Sequence, residues 1–146
     1  MNIRNKGMNT RKKGFTLIEL MLVIGIVAIL AALAVPSFLD SVRKSRRSDA
    51  MDTIMAIHLA QEKYRANNTT YGTNAQLGFD SPQISPKGHY SVAVSGNNAT
   101  GYTITATVVT GDDQANDYCG SFILTNAAGV ISKTNTASNA DLCWRK

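Results

Sequence analysis

Cysteine is scarce in this sequence. Two residues in 146 are too few for a disulfide-dense mini-protein. Apolar residues are not scarce, at 44%, so an intrinsically disordered chain is excluded as well. Acidic residues are missing altogether from the first fourteen positions, which carry Arg4, Lys6, Arg11, Lys12 and Lys13. From Phe15 onward ten Lys and Arg are matched by ten Asp and Glu, so the formal net charge of +5 belongs wholly to that N-terminal stretch. A basic balance of this size ordinarily points to nucleic acid or an anionic membrane. Without those fourteen residues the chain is formally neutral. The sequence also lacks the local motif of a catalytic nucleophile, a phosphate-binding glycine loop and a pair of catalytic carboxylates. No enzyme and no cofactor are expected, and the length allows one globular domain with an appended segment.

Polar residues are almost absent from the next segment. Between Phe15 and Val35 only Thr16 and Glu19 are polar, followed by Pro36-Ser37-Phe38-Leu39. Twenty-one helical residues span roughly 30 Å, enough to cross a bilayer core. The cations before the span place that end in the cytoplasm. A secretory signal peptide cut at Ala32-Leu33-Ala34 has the same outline. Glu19 argues against it, because a carboxylate in a spanning segment is costly and marks a functional site by default. Nothing basic within the segment can pair with it. Its partner must come from another chain or from a new amino terminus, and a cut between Gly14 and Phe15 supplies such an amine.

The run Lys13-Gly14-Phe15-Thr16-Leu17-Ile18-Glu19-Leu20-Met21, with its apolar continuation to Pro36, resembles the N-terminal signature of type IV prepilins and related pseudopilins. The resemblance implies removal of residues 1–14 by a membrane-embedded prepilin peptidase and N-methylation of Phe15. It also implies pairing of Glu19 with the Phe15 amine of a neighbouring subunit. The family often carries a glycine where Ala28 stands, whereas the glycine here is Gly25. Met1 and Met8 both serve as starts for such a leader. Pro36 predicts a helix break or kink.

No Gly or Pro interrupts residues 37 to 66. Ala50, Ile54, Ile57 and Tyr64, with Gln61 between, recur at helical spacing and form a stripe for a sheet in the same chain. Met51 and Met55 form an adjacent stripe, for which plain core is the more frequent fate and filament packing the alternative. One helix from Phe15 to about Ala66 is expected, roughly 75–80 Å long. Its membrane part is 15–39 and its amphipathic part 40–66. Arg43, Lys44, Arg46 and Arg47 are the only basic cluster after the leader. They read as a patch facing solvent or lipid headgroups at the membrane boundary, or as partners for acidic loops of other subunits.

Residues 67–146 form the head. A loop is expected over 67–88, where Gly72, Gly78, Pro82, Pro86 and Gly88 fall. Tyr90, Val92 and Val94, then Tyr102, Ile104, Ala106 and Val108, alternate with small or hydroxyl residues and predict an antiparallel hairpin. A third strand is expected near Cys119–Thr125 and a short fourth at Val130–Ile131, giving a sheet over about 89–132. The fold class is therefore α+β, one long helix on a small antiparallel meander. The pilin resemblance implies the same fold, with a disulfide-bounded C-terminal region.

Cys119 and Cys143 enclose 23 residues. A metal site would want more ligands than these two, so in an exported domain they read as one disulfide. Tyr118-Cys119-Gly120, Gly129 and Cys143-Trp144 resemble a minor-pilin subfamily that includes a receptor for DNA-uptake sequences. His58 and His89 read as ordinary surface or core residues. Asp112, Asp113 and Asp117 bear a weak likeness to pseudopilin calcium loops but read as a polar turn, so no metal is expected. Trp144 with Arg145 and Lys146 reads as a packed indole with a solvated tail.

The resemblance implies a minor pilin, held in the inner membrane with its N-terminus cytoplasmic and then assembled with other pilins into an extracellular filament. Such filaments serve adhesion, twitching or DNA uptake. A DNA-binding pilin at the pilus surface and a pseudopilin of a type II secretion system are the alternatives. Head charge counts against DNA: Lys87, Lys133, Arg145 and Lys146 face Asp80, Asp112, Asp113, Asp117 and Asp141.

Overall fold

The computed structural model describes residues 14–137 and 139–145. The leader cations, both candidate start methionines and Lys146 lie outside them. The chain divides into two compact units, 1–37 and 38–146, and a single long helix, α1 (Leu17–Arg65), contributes to both. In the first unit, every residue from 14 to 37 is exposed. Phe15, Leu17 and Leu33 keep most of their surface, at 87%, 77% and 74%. Mean hydropathy over the most apolar eighteen-residue window of α1 is 2.8. A water-soluble monomer does not leave an apolar surface of that extent uncovered. Helical hydrogen bonding continues across Pro36, so the break expected there is absent from the described residues. Proline removes one backbone donor, and good helix formers on both sides carry the helix past it.

In the second unit the remainder of α1 packs against a five-stranded antiparallel sheet: β1 (Gln83–Ile84), β2 (Tyr90–Ser95), β3 (Gly101–Val108), β4 (Phe122–Ala127) and β5 (Val130–Asn135). The spatial order follows the chain order, as in a meander. Register follows the alternation of side chains. Val92 lies opposite Ala106 and Ile104 opposite Leu124 on the core face. Ser91 lies opposite Thr107 and Thr103 opposite Thr125 on the other face. The core joins Tyr90, Val92, Tyr102, Ile104, Ala106, Phe122 and Leu124 to Ala50, Met51, Ile54 and Ile57 of α1. Each large side chain buried here contributes about 1.5–3 kcal/mol.

The Met51 and Met55 stripe takes the core reading rather than the filament one: Met51 is only 4% exposed, and Met55 is half-buried against the same cluster. Other expectations are corrected. Tyr64 is half-buried, while Gln61 beside it is wholly buried. Its amide donates to Gly72 O and accepts from Gly72 N–H, closing the segment after α1. Residues 67–88 are not only loop: a 3₁₀ turn at Ala75–Leu77 and β1 lie within them. The third strand begins at Phe122 rather than Cys119, because Cys119 still belongs to the turn before it. The fourth predicted strand extends to Asn135, and a single helical turn, α2 (Ala140–Cys143), follows it.

Candidate functional site

The N-terminal unit presents Gly14, Phe15, Thr16 and Glu19 around an open cleft of about 360 Å³. Thr16 precedes the first helical residue, and its hydroxyl accepts the Glu19 N–H at 3.2 Å. That is the N-cap bond of a Thr-x-x-Glu capping pattern. Glu19 stands at the third helical position, where an acid is favoured by the N-terminal end of the helix dipole. The pattern is legible in the sequence as Thr16-Leu-Ile-Glu19, yet reasoning from membrane cost alone passes over it. Glu19 therefore has a local reason for its position, one turn into the helix from Phe15.

In the second unit the four expected basic residues part company. Arg47 is buried and donates two hydrogen bonds to Asp117, Nε to Oδ2 at 2.8 Å and Nη2 to Oδ1 at 2.6 Å. It also lies over the Tyr118 ring, 4.7 Å from the centroid. Arg46 approaches Asp112 at 3.9 Å, and Arg43 approaches Asp40 at 3.4 Å. Lys44 is exposed. A single four-residue patch is thus not what the sequence builds, since Arg47 is consumed within its own chain. The residues at i, i+3 and i+4 (Arg43, Arg46 and Arg47) face the loop that carries Asp112–Asp117.

Gln114 fixes that loop. It is wholly buried, and its Nε2 has Arg43 O, Tyr90 Oη and Asp117 Oδ2 within hydrogen-bond range at 3.1, 3.0 and 3.1 Å, three acceptors for its two N–H groups. Burial pushes the Tyr90 phenol up to about 12. Asp112 accepts the Gln114 N–H at 2.8 Å and contacts His89 Nδ1 at 2.9 Å. Those hydrogen bonds, with His89 the largest cause, hold its carboxyl below the usual carboxylate range. Asp112 and Asp117 are therefore engaged with α1 cations and His89. Among the described residues no three acidic, His or Cys groups converge as a metal site would require.

A second polar chain links α1 to the sheet. His58 Nδ1 meets the Tyr102 hydroxyl. That hydroxyl reaches Glu62 at 3.3 Å, and Asn126 Nδ2 donates to Tyr71 Oη at 3.2 Å. Cys119 and Cys143 are joined and fully buried. Trp144 meets Phe122 edge-on, its indole N–H donates to Thr134 O at 2.8 Å, and Lys133 Nζ lies 5.5 Å from its ring centroid. Gly120 follows Cys119 with φ +63°, and a Cβ there would run into the Thr136 hydroxyl. That hydroxyl instead accepts the Ser121 N–H at 2.9 Å. A glycine is the residue this bend admits.

Comparison with known proteins places these features. A model of the prokaryotic N-terminal methylation motif matches residues 9–35. A model described as type IV minor pilin ComP, DNA uptake sequence receptor, matches residues 36–123, more than half of the chain. The type IV major pilin protein PilA of Myxococcus xanthus is 34% identical over 96 residues, 65% of this chain and 44% of that protein. The type IV major pilin protein PilE1 of Neisseria gonorrhoeae is 41% identical over 88 residues, 60% of this chain and 41% of that protein. The type II secretion system core protein G of Dickeya chrysanthemi is 36% identical over 69 residues, 47% of this chain and 45% of that protein. The chain spans about half the length of the relatives it matches. With a methylation motif that takes in the start of an exposed apolar helix, and a minor-pilin model that matches residues 36–123 of the disulfide-bearing α+β unit, the chain belongs to the type IV pilin family, in its minor-pilin branch.

Proposed function

We propose that this chain is a minor structural subunit of a type IV pilus. It is held in the inner membrane by the apolar half of α1 and enters the filament with other pilin subunits. A prepilin peptidase cuts between Gly14 and Phe15, and the new Phe15 amine is methylated. The carboxylate of Glu19 then pairs with the Phe15 amine of a neighbouring subunit. The observation that carries this reading is the methylation motif over 9–35, which takes in the start of a helix whose apolar side chains have no cover among the described residues. Lipid covers them before assembly and neighbouring helices cover them afterwards, so one surface serves both states. Intact-mass spectrometry of the chain from isolated filaments tests it. The expected mass is that of Phe15–Lys146 plus one methyl group and minus two hydrogens for the disulfide. The mass of the unprocessed chain would overturn the reading.

The match to a family described as a DNA uptake sequence receptor favours a second role, DNA contact by the head. Lys133 beside Trp144, with Arg145 next in sequence, is the basic-aromatic group best suited to it. The five head aspartates oppose broad phosphate contact. A gel shift of detergent-solubilised full chain at low salt decides it, and no retention of duplex DNA removes this role.

A further inference from the structure

A cleft of about 250 Å³ between α1 and the loop before Asp117 is lined by Leu39, Val42, Arg43, Arg46, Asp113 and Asn116. The pilus reading leaves it without a role. Its floor is preformed, because buried Gln114 holds the loop to Arg43 O and the Arg47–Asp117 pair clamps the next turn. Its two walls differ in charge. On the helix wall, the Arg43 guanidinium meets, among the described residues, the exposed Asp40 at 3.4 Å, and Arg46 stands 3.9 Å from Asp112, beyond a good hydrogen bond. Asp112 is moreover occupied by His89 and the Gln114 N–H. Both guanidiniums therefore keep donors for a further partner. On the loop wall, the exposed Asp113 carboxylate has no hydrogen-bond partner among the described residues. Leu39 and Val42 supply an apolar side.

Depth selects the ligand's source. The apolar run ends at Leu39, so Arg43 lies ~6 Å and Arg46 ~10 Å further along the helix axis. The headgroup layer beyond a ~30 Å hydrocarbon core is ~5–8 Å thick on each side. The Arg43 backbone therefore lies within it and that of Arg46 just outside, with a long side chain that leans back toward it along the helix. A purely anionic ligand would meet Asp113. A group carrying both a phosphate and a neighbouring ammonium satisfies both walls. Quaternary ammonium suits the cleft poorly, because the carboxylate has no N–H to accept and no aromatic ring lines the cleft.

We propose that this cleft binds the headgroup of a phosphatidylethanolamine-type phospholipid while the subunit waits in the membrane. The phosphate lies on Arg43 and Arg46, the ammonium on Asp113, and the glycerol region against Leu39 and Val42. The assignment rests on reading the first half of α1 as a membrane span.

The test reconstitutes full-length chain into vesicles of equal parts phosphatidylethanolamine, phosphatidylglycerol and phosphatidylcholine. The protein is then extracted in mild detergent, and the lipid it retains is counted by native mass spectrometry. Phosphatidylethanolamine is expected to be retained roughly three- to fivefold over either competitor, the scale of a partly exposed charge pair. Arg43→Gln/Arg46→Gln loses retained lipid of every class. Asp113→Asn keeps lipid but shifts the preference to phosphatidylglycerol. Soluble phosphoethanolamine does not displace the lipid, because it lacks the stem that Leu39 and Val42 contact; displacement would reassign the site to a free phosphate ester. Equal retention of the three lipids, or unchanged retention by the double variant, overturns the proposal. A chain that fails to insert overturns the membrane reading with it, whereas one that inserts normally without lipid preference overturns the cleft alone.

Discussion

Arg47 and Asp117, 70 residues apart in sequence, meet as a buried bidentate pair that ties α1 to the loop leading into the disulfide. The pair stands two residues before Cys119, so the loop is anchored to the helix just where the cross-link begins. Gln114 bonds to Asp117 and to the backbone of Arg43, which makes the anchorage a network rather than a single contact. A buried ion pair of this kind adds little over a well-packed apolar pair but is costly to break on one side.

Arg47→Met alone is expected to destabilise the chain by about 3–5 kcal/mol, because Asp117 is left buried without a counter-charge. The double variant Arg47→Met/Asp117→Leu is expected to recover most of that loss. Thermal unfolding of the detergent-solubilised chain, followed by circular dichroism, reads both. A double variant no more stable than the single one would show that the pair's value lies in its geometry and not in charge neutralisation.

The long helix and the β2–β3 hairpin were legible because their periodicities are strong: an uninterrupted apolar run, then Tyr90-x-Val92 and Tyr102-x-Ile104-x-Ala106 in alternation. The outer half of β5 was not. Ser132, Lys133, Thr134 and Asn135 show no alternation, and as an edge strand they are held by backbone pairing to β4. The spacing of Arg43, Arg46 and Arg47 already placed them on one helix face. That an acidic loop of the same chain covers that face depends on contacts some 70 residues away, which no local pattern carries. Gln61 falls on the predicted stripe, but its bonding role, like the burial of Gln114, is hidden for a related reason. Their partners are backbone groups brought near only by the completed fold.

Removing the cross-link with Cys143→Ser is expected to cost roughly 3–4 kcal/mol, the chain-entropy value for a loop of this length. The C-terminal segment then depends on Trp144 against Phe122 and on the Trp144–Thr134 hydrogen bond. Limited proteolysis should cut after β5 in the variant at protease levels that leave the parent chain whole.

Acid should weaken the loop through Asp112. Its carboxyl is held below its ordinary value in the folded chain by His89, the Gln114 N–H and Arg46. A depressed folded-state value means that its stabilisation is fully present above the unfolded-state value of about 3.9. The contribution is lost as pH falls from there through the lower folded-state value. Asp112→Asn is therefore expected to melt earlier than the parent at neutral pH, and the gap should close below about pH 4. Melting curves across that range check it, and a gap independent of pH would show that the Asp112 charge does not carry the effect.

Glu19 and Thr16 separate two roles at the helix start. Thr16→Ala removes the N-cap bond to Glu19 N–H and is expected to cost about 1 kcal/mol locally. It leaves the carboxylate in place, so filament incorporation should fall only modestly. Glu19→Ala removes the carboxylate proposed to recruit a neighbouring Phe15 amine, so on that proposal processing should remain intact while incorporation falls sharply. Immunoblots of sheared filaments against whole-cell membranes distinguish the two, with the leader-less form present in membranes of both variants. Normal piliation by Glu19→Ala would sink the amine pairing and leave the capping pattern as the sole reason for an acid at this position.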